Sequence, residues 1–378
     1  MKKILIIALG IMLVLTGAPS FACTVFYASN GEMTLAGNNE DYINPLTKAW
    51  FEPAENGKYG SVFFGFDNYV SQGGMNEKGL FFDVTAAPLV EIPVSSKKPE
   101  FKGDVIREKI MTGCATVKDA LKLFNQYQRP RKWRGMYIIG DSTGDSAIIS
   151  PYRIIRKKKN YQVATNFYQS KVKNSNYPCE RYKIAVDMLG KNNNISIGFF
   201  RRILAAVHQE GDYVNTLYSN IYDLKRKLIY LYHFHNFENE VVIDVKEELN
   251  KGKHTYDLSS LFPKSYAAES FLKAYQQRKE IKSVNVNPKI YNKFIGLYAM
   301  PSDMIANTAI AITRRGNKLY GFYPESPDHL LLPTSDNRFI NISKTGAVRV
   351  TFKEDKAGQV TEAIIETDRY NFSANKIK

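Results

Sequence analysis

Ala18-Pro19-Ser20-Phe21-Ala22-Cys23-Thr24-Val25-Phe26-Tyr27-Ala28 is the stretch on which the reading turns. Upstream of it, Lys2 and Lys3 form a charged start. Ile4 to Leu15 form an apolar run too short to span a bilayer and of the length found in secretory leaders. Ser20 and Ala22 place small residues at the third and first positions before Cys23, the pattern of a leader cleavage site. Residues 1–22 are therefore expected to be a signal peptide, and Cys23 the first residue of an exported chain, periplasmic or extracellular. A lipoprotein leader would lipidate Cys23 and block its amine, but such leaders usually want an aliphatic residue where Ser20 stands. A cysteine at a new N-terminus carries a thiol and an α-amine on one carbon. An amine of reference pKa near ~8 can take the thiol proton without a histidine.

Downstream of Cys23, Thr24 to Ala28 alternates as a strand, Gly31-Glu32 is a hairpin turn, and Thr34 to Gly37 continues as a second strand. Val62 to Phe66 and the run from Gly73 to Phe82 follow, with Asn76-Glu77-Lys78-Gly79 as a turn. Residues 103–127 read as two helical pieces, the second opened by a capping box of Thr116 with Asp119. Met136 to Gly140 and Ser146 to Ser150 form a hairpin, and a further strand leads to Val163-Ala164-Thr165-Asn166. Helical spacing returns at Glu180 to Leu189 and Ile197 to Val207, followed by strand-like Leu217 to Tyr222 and Leu228 to Phe234. Strands, then helices, then strands predict an α+β fold with helices layered on sheets rather than alternating βαβ units.

Removing the leader leaves 356 of 378 residues, more than one core usually holds, so two domains are expected. After the helix Tyr266 to Glu280, the polar segment 282–290, containing Asn287-Pro288, reads as a linker. From residue 291 the pattern is all β, as in Ala309 to Thr313, Leu319 to Phe322 and Val348 to Phe352. Residues 23–281 are thus assigned to one domain and 291–378 to a small β-barrel or sandwich that carries no cysteine and suits gating or packing better than chemistry.

Hydrophobic residues make up 44% and aromatics 13%, fitting a globular, β-rich chain. The net charge of +15, or +13 without Lys2 and Lys3, favours anionic surfaces and leaves a weak association with anionic membrane headgroups open. The basic residues are scattered apart from Arg156 to Lys159 at an expected hairpin turn, so no specific nucleic-acid partner is assigned. No phosphate loop or dinucleotide fingerprint occurs, and no cofactor is assigned. His233 and His235 stand at i and i+2 of a strand pattern, but no third ligand is evident nearby and no metal is assigned. Of the three cysteines, Cys114 reads as a small buried hydrophobe, and a bridge between Cys114 and Cys179 is left open.

The residues suited to chemistry are Cys23 as nucleophile, with its α-amine as base, and Asp41, placed by the hairpin to hold that amine. Asn166 at a strand end can donate to a developing oxyanion, or act as a turn residue. Arg181 can lower the thiol pKa or hold a substrate carboxylate, or form a surface ion pair.

Cys23-Thr24, Gly37-Asn38-Asn39-Glu40-Asp41-Tyr42, Gly74-Met75-Asn76-Glu77-Lys78-Gly79-Leu80, Thr165-Asn166 and Cys179-Glu180-Arg181-Tyr182 occur in the order seen in cysteine N-terminal-nucleophile (Ntn) amidases. Over about residues 23–262 the chain resembles the choloylglycine hydrolase, penicillin V acylase and linear amide C–N hydrolase superfamily. Within it the chain looks closer to the acyl-coenzyme A:6-aminopenicillanic acid acyltransferase-like branch. The resemblance implies a four-layer αββα sandwich in which Cys23 attacks a linear amide, Asp41 orients the amine, Asn166 helps form the oxyanion hole and Arg181 lies beside the nucleophile. Two positions depart from the hydrolase pattern. Asn38 stands where bile-salt and penicillin V hydrolases carry an arginine, and Ala86 where they carry an oxyanion donor. A second donor must then come from backbone or from Thr85, and neither bile salts nor penicillin V are expected as natural substrates.

The resulting expectation is an exported cysteine amidase acting on a small-molecule amide with an acyl chain, through an acyl-Cys23 intermediate. Transfer of the acyl group to an amine, a non-catalytic envelope-binding role on the same fold, and an oligomeric state remain open.

Overall fold

The computed structural model describes residues 23–93, 98–100, 102–192, 194–301, 308–322, 329–343, 346–367 and 370–377; the expected leader lies outside them. The first half of the chain runs β1 (Thr24–Ser29), β2 (Thr34–Tyr42), β3 (Thr47–Glu52), β4 (Ser61–Phe66), β5 (Ser71–Asn76), β6 (Phe81–Thr85), β7 (Val90–Glu91), α1 (Gly103–Gly113), α2 (Val117–Phe124), β8 (Lys132–Trp133), β9 (Met136–Gly140), β10 (Ser146–Ile149), β11 (Ile154–Arg156) and β12 (Tyr161–Ala164). Then come α3 (Glu180–Lys191), α4 (Ile197–Ala206), β13 (Asn215–Asp223), β14 (Leu228–His233), β15 (Asn236–Asp244), α5 (Val245–Asn250), β16 (His254–Asp257) and α6 (Tyr266–Glu280).

Two antiparallel sheets stack face to face. One has the order β12-β1-β2-β13-β14-β15, the other β11-β10-β9-β6-β5-β4-β3-β16. Strand alternation assigns the layers: on β1, Tyr27 faces the core between the sheets while its neighbour Phe26 faces the helices α3 and α4. Phe51, Phe64, Phe81, Tyr218 and Tyr222 fill the inter-sheet core. Ile106 and Ile110 of α1 and Val117 and Ala120 of α2 cover the outer face of the eight-stranded sheet against Phe82 and Ile139. Ala185, Leu189, Phe200 and Ile203 of α3 and α4 cover the other sheet. The result is the four-layer αββα sandwich. Each fully buried side chain of this size stabilises the fold by roughly 1.5–3 kcal/mol relative to exposure.

The local signals act as expected. Thr116 and Asp119 form both bonds of a capping box at α2. The Asn76–Gly79 turn joins β5 to β6, with Gly79 at φ +78°, and a Cβ there would lie 2.2 Å from the Leu224 carbonyl oxygen. Six strands of the sandwich go beyond the sequence reading: Thr47–Glu52, Val90–Glu91, Lys132–Trp133, Ile154–Arg156, Asn236–Asp244 and His254–Asp257. The first and last pair with each other at the edge of the eight-stranded sheet.

Beyond α6 the chain closes an eight-stranded antiparallel barrel, from Gly296–Ala299 through to Asn371–Lys376. Of the two options, sandwich or barrel, the structure takes the barrel. The segment 282–290 is only in part a free connection: Val286 is buried in the barrel core with Tyr291 and Phe294, and a 3-10 turn begins at Pro288. The barrel rests on the sandwich through Arg278 of α6, whose Nη1 donates to the Ile342 carbonyl at 2.8 Å, and through Tyr213, whose hydroxyl donates to the Leu330 carbonyl at 3.3 Å. All three cysteines are free, so no bridge joins Cys114 and Cys179. Cys114 is buried between α1 and α2, as a small hydrophobe.

Candidate active site

Cys23 stands at the first position before β1 and is 5% exposed. Pairing of β1 with β2 sets Thr24 opposite Asn39, so the chain start lies level with Asn38-Asn39-Glu40-Asp41. Alternation along β2 then divides the neighbours of Cys23 into two groups.

The first group faces α3 and the loop after α4. Asp41 is buried and accepts hydrogen bonds from the Thr216 hydroxyl, from Gln209 Nε2 at 2.7 Å and from Arg181 Nη1 at 3.0 Å. The same Nη1 donates to Thr24 Oγ1 at 2.9 Å, and Arg181 Nη2 donates to Asn166 Oδ1 at 3.0 Å. The guanidinium, on the first turn of α3, thus ties together β1, β2 and the end of β12. Burial pushes the Asp41 carboxyl up to about 6, with Arg181, Thr216, Gln209 and His208 all opposing the rise. The Asn166 amide, oriented by Arg181, donates to the Ala86 carbonyl at 2.8 Å. Ala86 therefore enters the site as a backbone acceptor that fixes Asn166. The neighbouring Thr85 hydroxyl is buried with no hydrogen-bond partner among the described residues.

The second group faces the inter-sheet core. Asn38 Nδ2 donates to Asp83 Oδ2 at 2.6 Å and its amide also bonds the Glu40 carboxylate, which accepts from the Cys23 thiol. The Asp41 backbone N–H donates to that thiol. Glu40, Asp83 and Tyr218 are all buried. Burial, and then the mutual charges of Glu40, Asp41 and Asp83, hold Glu40 and Asp83 well above the usual carboxylate range. Burial likewise pushes the Cys23 thiol well above its ordinary value, with Glu40, Asp41 and Asp83 adding to the rise. Asn38 Oδ1, Glu40 Oε2, Asp83 Oδ1, Tyr218 Oη and Asn220 Oδ1 have no hydrogen-bond partner among the described residues.

A cleft of 660 Å³ lies elsewhere on the sandwich, with none of Cys23, Asp41, Asn166 or Arg181 in its lining. It is lined by Leu217, the neighbour of Thr216, and by Thr47, His233, Phe234, Ala268 and Leu272. Burial lowers the His233 imidazole to about 4, so it is neutral there.

Of the residues singled out from sequence, Cys23, Asp41, Asn166, Arg181, Thr85, Ala86 and Asn38 all fall in the region around Cys23. Arg181 is 17% exposed at its side chain and bonded to three site residues, which removes the surface-ion-pair reading. His233 and His235 do not share a strand face: β14 ends at His233, which stacks on Phe262, whereas His235 sits in the following turn and stacks on His208. Glu40, Asp83, Gln209, Thr216 and Tyr218 join the site from the structure alone. Glu40 stands beside Asp41 in the same motif, and Asp83 is a lone acid inside an apolar strand, so both carry a faint signal. Gln209 and Thr216 carry none, since only the β2–β13 register brings them to Asp41.

The layered sandwich defines the class as that of the Ntn-hydrolase fold. The chain is similar in structure to penicillin V acylase from Agrobacterium tumefaciens, with a TM-score of 0.51 and 19% identity over 62% of this chain and 91% of that one. It is similar also to a mutant of conjugated bile acid hydrolase from Clostridium perfringens, at TM-score 0.50 and 16% identity over 62% and 96% of the two chains. A second variant of that hydrolase gives TM-score 0.50 and 16% identity over 62% and 97%. No family profile and no curated protein matches the sequence.

Proposed function

We propose that the chain is an exported amidase of the cysteine Ntn type, hydrolysing a linear, non-peptide amide through an acyl-Cys23 intermediate. The observation that carries this reading is the single guanidinium of Arg181 holding Thr24, Asp41 and Asn166 in one array around Cys23. In the uncut chain the Cys23 nitrogen is a peptide amide and cannot act as base, and the buried thiol is held in its protonated form. Leader removal at Ala22 frees an amine beside Asp41, and that amine takes the thiol proton as sulfur attacks the amide carbonyl. The Asn166 side chain is held by its bonds to Arg181 and the Ala86 carbonyl, which orients its amide as a donor to the oxyanion. The amine returns the proton to the leaving nitrogen, and water releases the acyl group.

Asn38 is committed to Asp83 and Glu40, which removes it from the substrate-gripping role of an arginine and supports the acyltransferase-like branch over the bile-salt and penicillin V types.

The test is intact mass of the secreted chain before and after an acylating probe, followed by product analysis on aryl amides with fatty, phenylacetyl and amino-acyl groups, with and without an added amine. A mass starting at unmodified Cys23, one acyl adduct lost in Cys23→Ala, and free acid as product support an amidase. Amide product at the added amine would make it an acyltransferase. A lipidated or uncut N-terminus would remove the mechanism.

A further inference from the structure

Among the described residues, one group of His, Cys, Asp or Glu side chains brings three or more donor atoms within 4.8 Å of one another: His208, Glu210 and His235. The ligands come from two separate segments. His208 and Glu210 flank Gln209 just after α4, and His235 is in the turn between β14 and β15. His208 Nε2 lies 2.9 Å and His235 Nδ1 3.7 Å from Glu210 Oε1. Donor atoms bound tetrahedrally at ~2.0–2.1 Å from a zinc ion stand about 3.3 Å apart, so these separations bracket what such an ion requires.

The orientation of the His208 ring supports the case. His208 Nδ1 is 2.6 Å from the Ala205 carbonyl, an acceptor, so that nitrogen carries the hydrogen. The opposite ring nitrogen, Nε2, is thereby turned toward Glu210 Oε1, 2.9 Å away. An N–H···O=C bond at the far nitrogen is also how metal-binding histidines are oriented. The His235 turn adds an independent sign. Its two central residues, Phe234 and His235, both have φ +49°, where hairpins normally use Asn-Gly. Two bulky residues held in this region stack His235 on His208 with ring centroids 5.3 Å apart, and such backbone strain persists where the site it builds is used.

We propose that His208, Glu210 and His235 form a binding site for a divalent transition metal of the zinc type. Two imidazoles and a carboxylate are a donor set for Zn²⁺, with Co²⁺ and Ni²⁺ as analogues, and not for Mg²⁺ or Ca²⁺. Side-chain exposures of 27% for His208, 54% for Glu210 and 14% for His235 leave one side open to water as a fourth ligand. The metal is structural with respect to Cys23. Gln209, between two ligands, donates to Asp41 Oδ2, and its backbone is bonded on both sides to Thr216. The ion clamps the segment that holds Asp41.

The experiment is zinc and cobalt binding to the untagged full chain by equilibrium dialysis and native mass spectrometry. It is repeated in Cys23→Ala, because an N-terminal aminothiol is itself a zinc ligand. One equivalent retained in Cys23→Ala, a tetrahedral Co²⁺ visible spectrum, and affinity weakened at least ~10-fold in His208→Gln and His235→Asn are expected; Asn tolerates the positive φ. Should either histidine variant fail to fold, the exposed Glu210→Gln decides, with the same weakening expected. Binding that vanishes with Cys23→Ala, or that is unchanged in the folded histidine variants or in Glu210→Gln, overturns the site. A plain imidazolium–carboxylate pair would give that second result. None of these readouts depends on amidase activity.

Discussion

Arg181 Nη1 stands 3.0 Å from Asp41 Oδ2, and this contact joins a helix start to a buried strand residue 140 positions earlier. The carboxylate is fully buried, so the pair has the asymmetry of internal ion pairs. Together it contributes modestly, but removal of one partner leaves the other charge uncompensated. Arg181→Gln should therefore lower stability by about 3–5 kcal/mol, read as a large drop in Tm. Arg181→Lys keeps the charge but cannot fork to Thr24, Asp41 and Asn166 at once. It should leave most of the stability while reducing acylation of Cys23 about 10²-fold, as expected when an oxyanion donor loses its orientation. Equal rates in Arg181→Lys and wild type would show that Asn166 is positioned without it.

Cys23→Ser changes one atom at a buried site and should leave the melting profile unaltered. A hydroxyl is a far weaker nucleophile at neutral pH, so amide turnover should fall by at least about 10³-fold. Turnover at the wild-type rate would exclude Cys23 as the attacking group.

The buried acids give the chain an unusual pH response. Asp41 rises from 3.8 to about 6 and Glu40 and Asp83 rise in the same direction, burial being the first cause in each. The folded chain thus keeps protons that the unfolded chain releases near pH ~4. Their contribution is complete below that pH and is lost as pH climbs through the folded values. For Asp41 alone the shift corresponds to about 3 kcal/mol. Tm should decline from about pH 5 to about pH 8. Glu40→Gln keeps an acceptor for the Cys23 thiol and removes one such proton, so its Tm should exceed wild type at the higher pH and decline less. A steeper decline in Glu40→Gln would mean that Glu40 is ionised in the fold.

The layers were legible because each rests on a short-range period. Phe26 and Tyr27 point to opposite faces of β1, and Ile106 and Ile110 lie on one face of α1, both as the sequence spacing requires. The array around Cys23 was legible through Asp41 at the end of the hairpin, whereas Asn166 and Arg181, each with a plainer reading of its own, were pointed to by the resemblance. Gln209 and Thr216 were not legible, because a register shift between Thr216 and Tyr218 in the β2–β13 pairing decides which side chains reach Asp41. The Cys23–Glu40–Asn38–Asp83 cluster was hidden for a related reason: Asn38 reads as a lost arginine until the opposing sheet brings Asp83 to it. His235 reads in the sequence as a strand partner of His233, and its turn and its partners His208 and Glu210 escape that reading, because a Phe-His turn with both φ positive is not what hairpin rules select.

The Met75-Asn76-Glu77-Lys78-Gly79 block that signals the resemblance forms a structural tie. Asn76 Oδ1 accepts from the backbone N–H groups of Lys78 and Leu80 at 3.1 and 3.0 Å, closing the turn on itself. Its Nδ2 donates to the carbonyls of Met111 and Cys114 at 2.8 and 2.9 Å, at the C-terminal end of α1. One buried amide thus fastens a helix end to a sheet turn, using every hydrogen-bonding site it has. Asn76→Ala would strand the Cys114 carbonyl and two N–H groups and leave the Met111 carbonyl with the Ser61 hydroxyl alone, a loss of about 2–4 kcal/mol. Asn76→Asp keeps the acceptor half and sets a carboxylate against two carbonyls, and should be worse. Neither variant touches Cys23, so any molecules that remain folded should acylate at the wild-type rate per active site. A fall in Tm with intact acylation per folded chain is the expected result for Asn76→Ala. A fall in acylation without a fall in Tm would instead place this turn in the catalytic machinery.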